Sequence, residues 1–179
     1  MDPGSGMDAS PMLQALRAER PASDRAGPMM LYGQFVGSWD GRMTYVDRAG
    51  VRQETNAEVH FDWVLEGRAV QDVWIVPVRS QVSAGAAQLM YGTTLRVYDP
   101  GADHWHITWI DPVRQVYEHM IGRQVGDDIV QEYRTDQGVR VQWMFTRITP
   151  GSFHWIAREA AGAGGDWRVR AEFLLSRRR

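Results

Sequence analysis

Three of the chain's five histidines fall in one stretch, HWHITWIDPVRQVYEHM, from His104 to Met120. Imidazoles two residues apart, as in His104 and His106, share one face of a strand. A third from a neighbouring strand would complete a metal-binding set of the kind zinc enzymes use. A two-residue loop at Pro112–Val113 puts His119 opposite His106, with His104 on the diagonal, so the spacing allows such a set. A different chemistry lies on the opposite face. There Trp105, Ile107, Trp109, Val116 and Met120 surround Glu118. A carboxyl group in apolar company is desolvated, its pKa rises toward neutrality, and it becomes a candidate general acid or base. Which face points inward decides which chemistry is available.

The surrounding elements answer that. From Ser38 onward the chain reads as short period-two segments divided by turn signals: DRAG, Glu66–Gly67, DPGAD, DPVR, Gly126–Asp127, TDQG, TPGS and GAGGD. Roughly ten strands at this spacing, with no strand–helix alternation, predict an all-β antiparallel protein, and we read it as an up-and-down barrel. Carrying the pairing through Gly126–Asp127 sets Met120 opposite Tyr133. The TDQG turn then adds Val139, Val141, Trp143 and Phe145 to the same face. The other face carries the histidines with Thr108, Tyr117, Arg123, Glu132, Arg140, Gln142 and Thr146. Period-two burial therefore predicts tryptophans inside and histidines outside, on an exposed strand. No metal site and no cofactor are expected.

The hairpin at Glu66–Gly67 pairs Trp63 with Val70 and Phe61 with Asp72. Val59, Phe61, Trp63, Val70, Trp74 and Val76 then line the interior with Asp72 among them. The first strand adds Trp39, Met43 and Tyr45, the last adds Trp167, Val169, Ala171 and Phe173, and Phe153 with Trp155 completes the ring. Arg96 has no assigned face, because the loop after Val97 leaves its strand's parity open. The inward polar residues Asp72, Glu118, Gln131 and Tyr133 need an account, since a buried carboxylate is costly unless paired. One account is a structural ion pair of Arg96 with Asp72 or Glu118. The other is catalysis, with Asp72 or Glu118 moving a proton and Tyr133 or Gln131 steadying developing charge. Ligand contacts are expected from Phe61, Trp63, Trp74, Arg96, Trp105, Trp109, Met120, Gln131, Trp143 and Trp155.

Residues 1–28 form an N-terminal extension and 29–179 the barrel. The opening MDPGSG reads equally as a vector remnant or a native start. Ser10 and Pro11 begin a short helix whose Met12, Leu13 and Leu16 form one apolar stripe, predicted to dock on the body or to lid one end. The net charge is −2, all 20 basic residues are arginine, and cysteine is absent. Nothing here calls for nucleic acid, and disulfides and thiolate metal sites are excluded. No run reaches transmembrane length and no signal peptide opens the chain, which fits a cytoplasmic protein. A homodimer is compatible with the sequence.

LYGQFVGSWDGRM resembles the G-x-W opening of lipocalins, with Gly37-Ser38-Trp39 entering the first strand. LEGRAVQDVW, YGTTLRVYDP, WHITWIDP and FTRITPGSFHW extend the likeness to an uncharacterised bacterial lipocalin-like, calycin-type family over residues 31–178. The resemblance implies a barrel around a small, largely apolar ligand, and an arginine near the chain end, Arg170 or Arg177, packed across Trp39. It implies no single chemistry. The expected function is binding of a small hydrophobic molecule, as a cofactor-free cyclase, isomerase or dehydratase of secondary metabolism. The alternative is a carrier or sensor without chemistry. Haem binding is disfavoured, because no histidine clearly points inward.

Overall fold

The computed structural model describes residues 10–47, 49–162 and 164–179; the MDPGSG opening lies outside them. Its main strands are β2 (Gly37–Val46), β3 (Arg52–Val64), β4 (Ala69–Val76), β5 (Met90–Asp99) and β6 (His104–Asp111), then β7 (Val116–Val125), β8 (Asp128–Arg134), β9 (Arg140–Thr146), β10 (Ser152–Ala160) and β11 (Arg168–Arg177). Each pairs antiparallel with the next, and β2 pairs with β11, so the ten strands close into an up-and-down barrel. Closure gives each of the ten strands a neighbour on both sides and so removes the long open edges of a flat sheet. A two-residue strand, β1 (Arg17–Ala18), pairs with Val64 and Trp63 at the end of β3. Among the described residues no helix is long and apolar enough to cross a membrane.

The hairpin of β3 and β4 has the expected register, Trp63 to Val70 and Phe61 to Asp72. The β7–β8 turn also keeps its two-residue loop, with Val125 opposite Asp128. The β6–β7 hairpin does not. Its loop runs over four residues, because Asp111 is the last strand residue and pairs with Val116. Asp111 Oδ1 accepts from the N–H groups of Val113 (3.0 Å) and Arg114 (3.3 Å), and Gln115 takes a left-handed φ of 56° to close the turn. The register moves by two, so His119 lies opposite Thr108 and His106 opposite Ile121. An even shift keeps every side chain on its face, and the tryptophans remain inside. The three-histidine set itself is undone.

A second correction comes from β10 and β11. A bulge after Ala157 pairs Arg158 with Val169 and leaves Arg170 as the extra residue. Val169 is therefore turned outward and half exposed. Trp167 lies outside too, with the guanidinium carbons of Arg140 and Arg158 at 4.8 and 4.7 Å from its ring centre. Arg140 also donates to the carbonyls of Gly162 and Gly165, holding the loop before β11 against the wall.

One end of the barrel is closed by α2 (Ala26–Gly33) and the turn after it. Tyr32 and Phe35 enter the interior from there. Tyr32 meets Trp105 at 4.8 Å between ring centres, and Phe35 meets Phe145 and Phe153, each at 4.8 Å. Trp39 is fully buried and its Nε1–H donates to the Phe35 carbonyl at 2.7 Å. Arg177, rather than Arg170, packs across it, with the guanidinium carbon 4.2 Å from the ring centre. The first helix, α1 (Pro11–Leu16), has the predicted Ser10 cap but buries no residue; Met12 and Leu13 are exposed. The extension is held instead by backbone, through β1 and the bonds Leu65 N–H to Leu16 O (2.8 Å) and Ala22 N–H to Gly67 O (3.0 Å), and by the ion pairs of Arg17 with Asp62 and Asp24 with Arg68. Gly67, at φ +74°, has no room for a side chain beneath the Arg20 carbonyl.

Candidate functional site

Above the aromatic plug the barrel is hollow. A cavity of about 720 Å³ opens at the end opposite α2, within the range of small-molecule pockets. Its walls are Trp74 from β4, Trp109 from β6, Trp143 from β9, Trp155 from β10 and Phe173 from β11, with Met43 and Met90. These positions alternate along their strands, as inward residues must. The rings support one another: Trp155 lies 5.4 Å from Trp74, Trp143 and Phe173, and Trp109 lies 5.8 Å from Trp143. Gly92, the β5 partner of Trp74, has no side chain because the Trp109 ring occupies that space.

Arg96 and Thr94 line the cavity at its deep end, and both are almost fully buried. Arg96 Nη1 donates to Asp72 Oδ2, and Arg96 Nε donates to Gln131 Oε1 at 3.0 Å. The other Asp72 oxygen accepts the Thr94 N–H at 2.8 Å. The guanidinium lies 4.8 Å above the Tyr32 ring and within 6 Å of Phe61 and Phe145. It therefore joins the plug to the cavity: the guanidinium stacks on the plug's aromatic rings while the residue also lines the cavity. Burial keeps the Tyr32 hydroxyl well above the ordinary phenol range, so it remains a neutral partner at this junction.

Of the residues expected to act, Trp74, Arg96, Trp109, Glu118, Tyr133, Trp143 and Trp155 line the cavity. Asp72 and Gln131 lie beneath it as the supports of Arg96. Asp72 has both oxygens engaged, one to a guanidinium and one to a backbone N–H, so it is a poor candidate for moving a proton. Phe61, Trp63, Trp105 and Met120 belong to the packed core and are not in the lining. Trp63 fills the space over Gly33 of α2, and Trp105 packs on Tyr32. Glu118 and Tyr133 stand together on the wall, each half-buried. Glu118 forms no salt bridge among the described residues. Burial first, then the Glu118 charge, pushes the Tyr133 hydroxyl far above its usual range, so it stays protonated at neutral pH and can offer a hydrogen bond.

Sequence reasoning missed Thr94 and Met90, because the loop after Val97 leaves the parity of β5 open. It missed Arg170, because a bulge is invisible to strict alternation. At the mouth Arg170 reaches Glu159 at 3.5 Å, and Arg158 donates to Gln142 Oε1 at 2.7 and 3.0 Å.

No family model and no curated protein matches this chain. Solved structures do. Rv2717c from M. tuberculosis aligns over 86% of this chain and 99% of its own, at 17% identity and a TM-score of 0.59. The S-type phycobiliprotein lyase CPES from Guillardia theta aligns over 84% of this chain and 91% of its own, at 12% identity and a TM-score of 0.55. At these identities the likeness establishes the lipocalin-like barrel and nothing finer.

Proposed function

We propose that the barrel binds a small, ring-containing, mainly apolar molecule, with its body among the tryptophans and a polar or anionic group on Arg96. The observation that carries this is the half-filled interior. One end is packed solid by Tyr32 and Phe35, while the other is a tryptophan-walled cavity with a guanidinium at its base. A merely structural barrel would continue its packing through that space. Neighbouring barrels include a protein named as a phycobiliprotein lyase, which agrees with a small-molecule role.

Ala157 and Ala171 face each other across β10 and β11 and both line the cavity. An Ala157→Trp substitution should fill the entrance without touching the plug. With 1-anilinonaphthalene-8-sulfonate as the probe, the wild-type chain should quench its tryptophan fluorescence on binding. Ala157→Trp should lower the affinity at least tenfold, about 1.4 kcal/mol, while retaining the melting temperature. Equal binding by both proteins would place the probe elsewhere and remove the basis for this reading.

A second reading, catalysis, is favoured by one observation: Glu118 stands at the cavity wall with no salt bridge among the described residues, beside a Tyr133 hydroxyl that stays protonated. A base and a donor so placed suit an isomerisation, cyclisation or dehydration, where one group removes a proton and the other stabilises the developing oxyanion. Once a substrate is found, Glu118→Gln should lower turnover about 10²–10⁴-fold with little change in affinity. Unchanged turnover would leave a binding protein.

A further inference from the structure

We propose that Asp99, His104 and His106 form a site for a divalent transition-metal ion on the outer wall of the barrel, separate from the cavity. Asp99 ends β5, His104 begins β6, and the two are register partners across the turn 100–103. His106 follows two residues later on the same outward face. The carboxylate is fixed by its turn, since Asp99 Oδ1 accepts the N–H groups of Gly101 (2.8 Å) and Ala102 (3.2 Å). Its other oxygen lies 3.3 Å from His106 Nε2. The two imidazoles meet edge to face, 4.8 Å between centres. One donor atom from each of the three residues lies within 4.8 Å of the other two.

His104 supplies an independent observation. Its Nε2 is buried and has no hydrogen-bond partner among the described residues. Buried ring nitrogens are nearly always satisfied, and a cation bound by the neighbouring carboxylate and imidazole is the kind of group that would recruit this one.

Two imidazoles and a carboxylate are the donors of zinc and related divalent ions, with bonds of about 2.0–2.2 Å. Tetrahedral bonds of that length put donors roughly 3.3–3.5 Å apart, close to the spacing already present between Asp99 and His106. The His104 donor atom, within 4.8 Å of the other two, is the one that must draw closer to complete the set. With no thiolate, the site suits borderline rather than soft cations, and its exposed side leaves room for water. A bound ion would join both ends of the turn and clip the β5–β6 hairpin. His119, which the H-x-H pattern first suggested as the third ligand, lies opposite Thr108 and has no part in it.

The test uses the full chain, freed of metal with EDTA and titrated calorimetrically with Zn²⁺ alone near neutral pH. One ion per chain is expected. Affinity should fall at least tenfold in Asp99→Asn and in His106→Gln, and stay within twofold in His119→Ala. Asp99→Asn keeps the oxygen that caps the turn and His106 is exposed, so circular dichroism should show both variants folded. Co²⁺ added to the wild-type chain should develop visible bands stronger than those of the aqueous ion, saturating at one equivalent. That readout decides the matter even if a variant fails to fold. Absence of stoichiometric Zn²⁺ binding, an unaltered Co²⁺ spectrum, or equal Zn²⁺ affinity in wild type, Asp99→Asn and His106→Gln would overturn the proposal.

Discussion

Replacing Asp72 with alanine should destabilise the barrel by about 3–5 kcal/mol, because it strands a guanidinium in the interior. Arg96 and Asp72 are each only 1% exposed. Without the carboxylate, Arg96 keeps the single bond to Gln131 and the faces of three aromatic rings, which cannot replace a counter-ion. The Thr94 N–H would lose its acceptor as well. Urea unfolding followed by tryptophan fluorescence measures the loss. The companion experiment removes both charges, in Asp72→Leu with Arg96→Met. That double variant should be more stable than Asp72→Ala, since the penalty lies in the unpaired charge rather than in the missing bond. It should also bind the anilinonaphthalene sulfonate probe more weakly than wild type, having lost the cation at the cavity's base. A loss below about 1 kcal/mol in Asp72→Ala would mean that water reaches Arg96 and that the base of the cavity is not sealed.

Trp39→Ala should cost a similar amount, about 3–5 kcal/mol, through a cavity at the closed end. The ring packs edge-on to Phe153 at 4.7 Å and lies beneath the Arg177 guanidinium. Arg177 donates to the carbonyls of Val36 and Gln34, each at 2.7 Å, and to that of Pro150 at 2.8 Å. Trp39 is thus the platform on which three stretches of chain meet: the turn after α2, the start of β2 and the loop before β10. Calorimetric unfolding of Trp39→Ala against Trp39→Phe separates the volume lost from the platform lost, with phenylalanine retaining about half the stability. A loss under roughly 1.5 kcal/mol for Trp39→Ala would show that the end can collapse around the deletion.

What was legible in the sequence follows from what period-two alternation can report. It placed Trp74, Trp109, Trp143 and Trp155 inside and His106 and His119 outside, even though the β6–β7 loop was misjudged, because that error was an even number of residues. It paired Phe61 with Asp72, because the turn there is short and marked by Gly67. It could not see how far along the barrel the interior is filled. Phe61, Trp63 and Trp105 have the same inward parity as Trp155 yet lie in the packed half, and the difference is made by Tyr32 from α2 and Phe35 from the turn after it, both outside the pattern. Nor could alternation register the bulge at Ala157, which turns Val169 out and Arg170 toward the mouth. Asp99 is not legible as a metal-ligand candidate for a related reason. In DPGAD an aspartate reads as turn chemistry, and it fills that role here with one oxygen while the other faces His106.

The pairing of Trp39 with Arg177 along β2 and β11 also bears on how the protein is made. Of the barrel's ten strands β2 is the first to be synthesised, and its neighbour β11 is the last. Until then the growing sheet has an open side, and the Trp39 platform lacks its cation. Closure is therefore a late, long-range event that tightens the whole cylinder at once, and the nascent chain has the greatest need of chaperone protection just before it.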